Sequence, residues 1–317
     1  MKENIIYHYC GVETFLNIIR NHTLRLSDLC KSTDRMELKA LLEKIKEKIL
    51  ERYRNSGDFV SSVIYGMNMD DAFEYLTDKL ITKMKDDTDQ MLFGVCFSED
   101  GDLLSQWREY ADRGTGLAIG FDAKWFENLC NNELFKFSKV TYGFGEENEK
   151  IIDKYANQLY DEMLFAIERN NVRAIVAKDV WVDYLTQRLL YQDSMFIKRE
   201  EYVNEMEWRL ILDDEDMCKW YGDWGIYYNW KEDSGVEKRN PMEELIPNGM
   251  EFLAKNGKII PFLDLKFDLN ENDIPVKKII IGPNCKVDEL DIIHVLEFFH
   301  YDSEEIDIVE SQSSYCL

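Results

Sequence analysis

The chain is predicted to fold as α+β, on three observations. Short apolar runs of strand character recur along it, helical patterns of period 3.6 interrupt them, and the two do not alternate in the strand–helix–strand order that a parallel sheet requires. Hydrophobic residues make up 45% of the composition, which is enough for a sizeable core and excludes wholesale disorder.

Residues 5–9 read as a short strand and residues 12–21 as a helix, with Val12, Phe15, Leu16 and Ile19 on one face. Residues 23–27 alternate, turning Leu24 and Leu26 inward as a strand does. Leu38, Leu41, Leu42, Ile45, Ile49 and Tyr53 recur at helical spacing over 37–55, and a second helix is expected near 70–85. Together they read as a helical insertion at about 37–88. Residues 92–98 (LFGVCFS) and 116–121 (GLAIGF) are continuous apolar runs, expected as strands buried on both faces, with a short helix at 103–111 between them. A further strand is expected at 140–144, followed by a long helical region at about 147–192. Strands are then expected at 205–212, 259–265, 276–281 and 306–309, with a helix at 288–299. Residues 213–257 are Trp/Tyr-rich, acidic and broken by glycine, and read as an irregular insertion or lid. The whole chain, 1–317, is read as a single domain.

The charge is −24, from 38 Lys and Arg against 62 Asp and Glu. Such a surface repels phosphate backbones and anionic leaflets, which disfavours long nucleic acid and membrane as partners. The first residues lack the basic and apolar regions of a signal peptide, and no apolar run approaches the ~20 residues of a membrane span, so a cytoplasmic protein is expected. Seven widely spaced cysteines without a CxxC pair, and four scattered histidines, support neither a disulfide framework nor a metal site.

Four constellations carry chemistry. In Tyr7-His8-Tyr9 the imidazole, which donates at one nitrogen and accepts at the other, suits a ribose hydroxyl; a satisfied core histidine is the alternative. In Glu205-Met206-Glu207-Trp208-Arg209, period-two geometry places both carboxylates and the arginine on one face, where one carboxylate stabilises positive charge at an anomeric carbon and the other orients an attacking group; a polar outer strand face is the alternative. Ser98, at the end of a buried strand, either binds a ligand or caps the next turn. Arg108 and Tyr110 suit a phosphate and a base, against the ordinary reading as a mixed-charge surface helix. Neither a GxGxxG nor a Walker motif is present.

These pieces lie in one order that resembles a widespread bacterial family known mainly as a domain of unknown function. Its members open with a YHYT-type strand and an LRLSDP…ND…E stretch, followed by CFSE, LLxxWxxYAD, GxxxGF, K…Y…E.EWRL and IIxGP. The counterparts are Tyr7-His8-Tyr9; Leu24-Arg25-Leu26-Ser27-Asp28 with Asp34 and Glu37; Cys96-Phe97-Ser98-Glu99; and Leu103-Leu104 with Trp107, Tyr110, Ala111 and Asp112. Gly116, Gly120-Phe121, Lys198, Tyr202, Glu205, Glu207-Trp208-Arg209-Leu210 and 279–283 complete the set. Thr33 and Arg35 depart from the usual Asn and Pro.

The layout is also similar to the ADP-ribosyltransferase superfamily, whose split antiparallel sheet carries a first-strand histidine, a middle-strand Tyr or Ser and a late-strand glutamate, often as ExE. The resemblance implies NAD as substrate. Glu207, Glu205 and His8 would form the catalytic group, and His8, Tyr9, Arg25, Ser27, Ser98, Arg108, Tyr110, Lys198 and Arg209 would bind the dinucleotide. It implies transfer of ADP-ribose to an unknown acceptor or hydrolysis of NAD, in a toxin or phage-defence setting, without a metal. A catalytically silent nucleotide-binding module, and an interaction protein presenting 213–257 to a protein partner, are the competing readings.

Overall fold

A computed structural model describes residues 4–29, 36–56, 74–75, 77–79, 81–82, 92–132, 134–168, 193–212, 244–255, 257–267 and 274–315. Asp34 and its neighbours, the helical pattern of 169–192 and the Trp/Tyr-rich stretch up to residue 243 lie outside the described residues. Helices and a mixed, largely antiparallel sheet confirm the α+β class. The chain groups into two compact units, one of residues 1–31, 92–140 and 202–317, the other of residues 32–91 and 141–201.

The first unit is built on a ten-stranded sheet. Its strands are β1 (Ile5–Cys10), β2 (Thr23–Asp28), β3 (Phe93–Ser98), β4 (Leu117–Asp122), β5 (Phe135–Lys139), β8 (Glu207–Leu212), β9 (Met250–Lys255), β10 (Lys258–Lys266), β11 (Val276–Ile281) and β12 (Asp307–Glu310). All pair antiparallel except β11 with β12. Strand β3 is the branch point. One edge pairs along its length with β8, which pairs onward with β5. Along the other edge β2 holds Phe93 and Gly94, while β1 holds Ser98. The sheet therefore splits between β1 and β2.

Helices α1 (Val12–Asn21), α3 (Leu104–Glu109), α4 (Ala123–Leu129) and α6 (Glu289–Phe298) belong to this unit. Helix α1 and strand β11 match their predicted ranges residue for residue, because apolar spacing and turn residues bound both. In this unit the strands β5 and β9 and the helix α4 escape the sequence reading. β5 is only five residues long, and the described side chains of β9 are mostly exposed, so neither presents the continuous apolar run that marks the core strands.

Side chains alternate across the sheet, so the register assigns faces. Phe97, Phe121, Phe137 and Trp208 share one face with Phe126 of α4, in an aromatic cluster that includes a Phe137–Trp208 stack at 5.0 Å. Tyr9, Ala118 and Ile280 share the other face and pack on Trp107 and Ala111.

The second unit pairs α2 (Met36–Ser56) with α5 (Glu146–Glu168). Leu41, Leu42, Ile45 and Ile49 are buried on α2, and Ile152, Tyr155, Leu159 and Met163 on α5. Arg52 ties the two helices at the surface, donating to Asp161 Oδ1 (2.6 Å) and Asn157 Oδ1 (2.9 Å). Residues 74, 75, 77–79, 81 and 82 are helical, inside the span expected for the second inserted helix. The strand expected at 140–144 is only the two residues β6 (Thr141–Tyr142), paired with β7 (Ile197–Lys198). None of the helices among the described residues is long and apolar enough to cross a membrane.

Candidate functional site

Three strands that are distant in sequence meet at the split. Register sets Tyr7 opposite Ser98 and Ser98 opposite Glu207, so β1, β3 and β8 present Tyr7, Ser98 and Glu207 in one row on one face. Two residues along, Cys96 and Arg209 face the same way. Ser27 is opposite Gly94, which brings Ser27 and then Arg25 of β2 onto this face as well.

Ser98 and Glu207 are 1% and 5% exposed, and Arg209 is 8% exposed. Arg209 donates from Nε to Glu207 Oε1 (2.7 Å) and from Nη2 to Oε2 (3.2 Å). A buried carboxylate needs such a partner, and a planar guanidinium supplies two parallel hydrogen bonds. Because i and i+2 share a strand face, the EWR sequence alone makes this pairing geometrically available. The expectation that this strand presents a polar outer face is corrected, since Glu207 and Arg209 are both buried.

Glu205 does not share the strand. It closes a 3-10 stretch, and Met206, at φ +46, reverses the chain before β8 begins. Period two fails there, and the expected same-face pair of carboxylates is not formed. The main chain of Glu205 has a different use: its carbonyl accepts the Ser98 hydroxyl at 2.8 Å. Ser98 Oγ also accepts from Asp100 N at 3.3 Å, so this serine caps the turn after β3.

His8 lies on the opposite face from Glu207. Its ring meets Phe97 edge-on at 6.1 Å, within the aromatic layer. Its Nδ1 donates to the Cys96 carbonyl at 3.1 Å, reaching across from β1 to β3. Burial lowers the His8 pKa from the ordinary 6.5, against the opposing effect of the Cys96 hydrogen bond, so the ring is neutral at pH 7. A one-residue shift on a strand reverses the face, and Tyr7 is therefore the first-strand side chain on the Glu207 side. Burial also raises the Tyr7 pKa, which keeps its phenol protonated.

Tyr9 is fully engaged in the fold. Its hydroxyl donates to Asp100 O (2.8 Å), accepts from Leu103 N (2.8 Å), and its ring meets Trp107 at 4.8 Å. Trp107 Nε1 donates to Asp102 Oδ1 at 2.7 Å, and Asp102 also receives the Ser311 hydroxyl and Gln312 N. Arg108 stacks on Tyr315 at 5.5 Å, and Tyr110 is 53% exposed just past α3. Both stand on α3 and its end, above the β1–β4–β11 part of this face, where Tyr9 and Trp107 pack. Lys198 belongs to the second unit, buried on β7.

Two residues that the sequence reading did not select complete this face. Asp264 and Phe262 of β10 lie opposite Arg25 and Ser27. Arg25 donates from Nε to Asp264 Oδ1 (2.9 Å) and from Nη2 to Oδ2 (3.1 Å), with its guanidinium carbon 3.6 Å from the Phe262 ring centroid. The available signal was a lone aspartate inside the alternating stretch PFLDLK. Beyond the row, Glu99 Oε1 accepts from Lys139 Nζ (2.7 Å) and Trp208 Nε1 (2.9 Å); burial opposes its ionisation, but these bonds hold its pKa below the usual value.

Comparison with known proteins adds one relationship. A family model described as a protein of unknown function (DUF2971) matches residues 106–210, a segment that contains Glu207 and Arg209. No curated protein matches the chain. No solved structure matches it either.

Proposed function

We propose that the chain is an NAD-consuming, ADP-ribosyltransferase-like enzyme whose catalytic carboxylate is Glu207. The observation that carries this reading is the row Tyr7–Ser98–Glu207 across three neighbouring strands at a split in the sheet. First-strand, middle-strand and late-strand residues stand side by side, with Tyr7 where the resemblance to that superfamily implies a histidine. Arg25 and Arg209 share the face with the row, each balanced there by a carboxylate, Asp264 and Glu207, so a small dianion meets two guanidinium groups by competing with those carboxylates.

The chemistry is breakage of the nicotinamide–ribose bond. The bonding pair leaves with nicotinamide, positive charge develops on the ribose, and water or an acceptor nucleophile then attacks C1′. Glu207 stabilises that charge and accepts from the 2′-hydroxyl. Tyr7 takes the ribose-facing position expected of His8, and Ser98 fixes the turn that aligns the row. In the unliganded chain Arg209 neutralises Glu207; substrate phosphates compete for Arg209 and leave the carboxylate to the ribose. A toxin or phage-defence setting rests on the resemblance alone.

Incubation with NAD and chromatography of free nicotinamide tests this reading. Release by the natural chain, reduced about a hundredfold or more in Glu207→Gln, is expected. Equal release by both proteins, or none with candidate acceptors present, overturns it. A silent nucleotide-binding module is the second reading, favoured by the engagement of Glu207 with Arg209 and of His8 with Cys96. Calorimetric binding of NAD without turnover is its signature.

A further inference from the structure

Arg25 is held differently from an ordinary surface arginine. Two hydrogen bonds to Asp264, itself 9% exposed, fix the plane of its guanidinium, and the Phe262 ring supports one side at 3.6 Å. Even so, 42% of the Arg25 side chain remains exposed. The Nε/Nη2 edge is occupied and one flat side is covered, yet the group is not buried. What an arginine in this state offers a ligand is its second flat side, held at a fixed angle, together with its Nη1 edge. Planar, weakly hydrated guanidinium groups stack on aromatic rings, and nucleic-acid bases are flat and polarisable enough to use them.

Position reinforces this. Arg25 stands on β2, across the split from the Tyr7–Ser98–Glu207 row and on the same face. A dinucleotide has two ends of different chemistry, and a ribose-reading row on one side of the split leaves its other end to be held elsewhere on this face. Arg209, on β8 along the other edge of β3, shares this face and holds the Glu207 carboxylate by two hydrogen bonds.

We propose that Arg25, clamped by Asp264 and supported by Phe262, is a stacking platform for the purine base of the nucleotide. This deepens the reading given above, resting on it for the identity of the face and going beyond it in assigning a base subsite. Recognition is through the flat side of Arg25, not its charge alone. Lysine in its place retains the charge and loses the plane.

The experiment is calorimetry with ADP, adenosine, inorganic pyrophosphate and nicotinamide mononucleotide on the full chain and on Arg25→Lys, Arg25→Ala and Phe262→Leu. Arg25→Lys is expected to weaken ADP and adenosine about tenfold while pyrophosphate and nicotinamide mononucleotide are unchanged. Phe262→Leu, which removes the support but leaves Arg25 and Asp264 in place, should show the same pattern less strongly. ADP binding that is absent, or unaffected by Arg25→Lys, overturns the platform. Parallel loss of ADP and pyrophosphate makes Arg25 a phosphate ligand and also overturns it. The two readings separate cleanly. Selective loss of adenosine with no release of nicotinamide from NAD keeps the platform and removes the enzyme; nicotinamide release insensitive to Arg25→Lys keeps the enzyme and removes the platform. Thermal melts of the three variants exclude misfolding, and Arg25→Lys at an exposed position is expected to melt within a few degrees of the natural chain.

Discussion

Arg209 holds Glu207 by two hydrogen bonds, 2.7 and 3.2 Å, in a pair that is almost wholly buried. Removing one partner leaves the other charge in a poorly solvated place. Arg209→Ala is expected to cost about 3–5 kcal/mol, read by urea unfolding. Replacing both with apolar residues of similar volume, Glu207→Leu with Arg209→Met, removes both charges together and should restore much of that loss. If the double variant is no more stable than Arg209→Ala, the buried-pair account fails.

His8 provides a pH dependence. Its pKa in the folded chain is lowered from 6.5 by burial, so below about pH 6.5 the unfolded chain takes up a proton that the folded chain resists. The unfolded state then binds more protons, and stability falls as pH falls through 6.5 toward the lower folded value. Above 6.5 this group contributes no slope. Unfolding free energies between about pH 5 and 7 should show the decline, and His8→Asn should flatten it in the part above the carboxylate range. A natural chain whose stability is level across that interval would contradict the burial of this ring.

Tyr9 tests whether the first-strand motif serves the fold. Its hydroxyl joins Asp100 O and Leu103 N, each at 2.8 Å. Tyr9→Phe leaves the Asp100 carbonyl and the Leu103 amide without this bridge at a partly buried place, and a loss of about 0.5–1.5 kcal/mol is expected. Nicotinamide release per folded molecule should be unchanged, because the hydroxyl faces the turn and not the Glu207 row.

The sequence made the scaffold easier to read than the site, for a physical reason. Helix α1 and strand β11 are specified locally, by apolar spacing and by the residues that stop them, so their limits follow from a few neighbours. The site depends on face, and on a strand one residue decides face. Period two was a sound guide for Glu207 and Arg209, which do pair. It failed for Glu205, because the left-handed backbone of Met206 lies between them. It could not place His8 relative to Glu207 at all, since that needs the register of β1 on β3 and of β3 on β8. Arg25 was legible as a cation, but its clamp was not: Asp264 and Phe262 are more than two hundred residues away and reach it only through β10.

Two glycines separate a clash that a side chain can relieve from one that it cannot. A Cβ on Gly11 would collide with Asp112 Oδ2, whereas a Cβ on Gly116 would collide with the main-chain oxygen of Cys10. Gly11 has extended backbone at φ −71, which alanine adopts freely, so contact alone opposes the substitution. Gly11→Ala is therefore expected to destabilise by about 1–3 kcal/mol. Most of that should vanish in an Asp112→Ala background, a coupling of roughly 0.5–3 kcal/mol in a double-mutant cycle. Gly116→Ala meets carbonyl oxygen fixed by the β1–β4 pairing, which ends at Cys10 and Leu117. No side-chain truncation frees that space, so its cost should be larger and unchanged by Asp112→Ala. Equal rescue of both alanine variants would show that residues 111–116 yield as a unit, and that the close approach of β4 to β1 is not what requires glycine at 116.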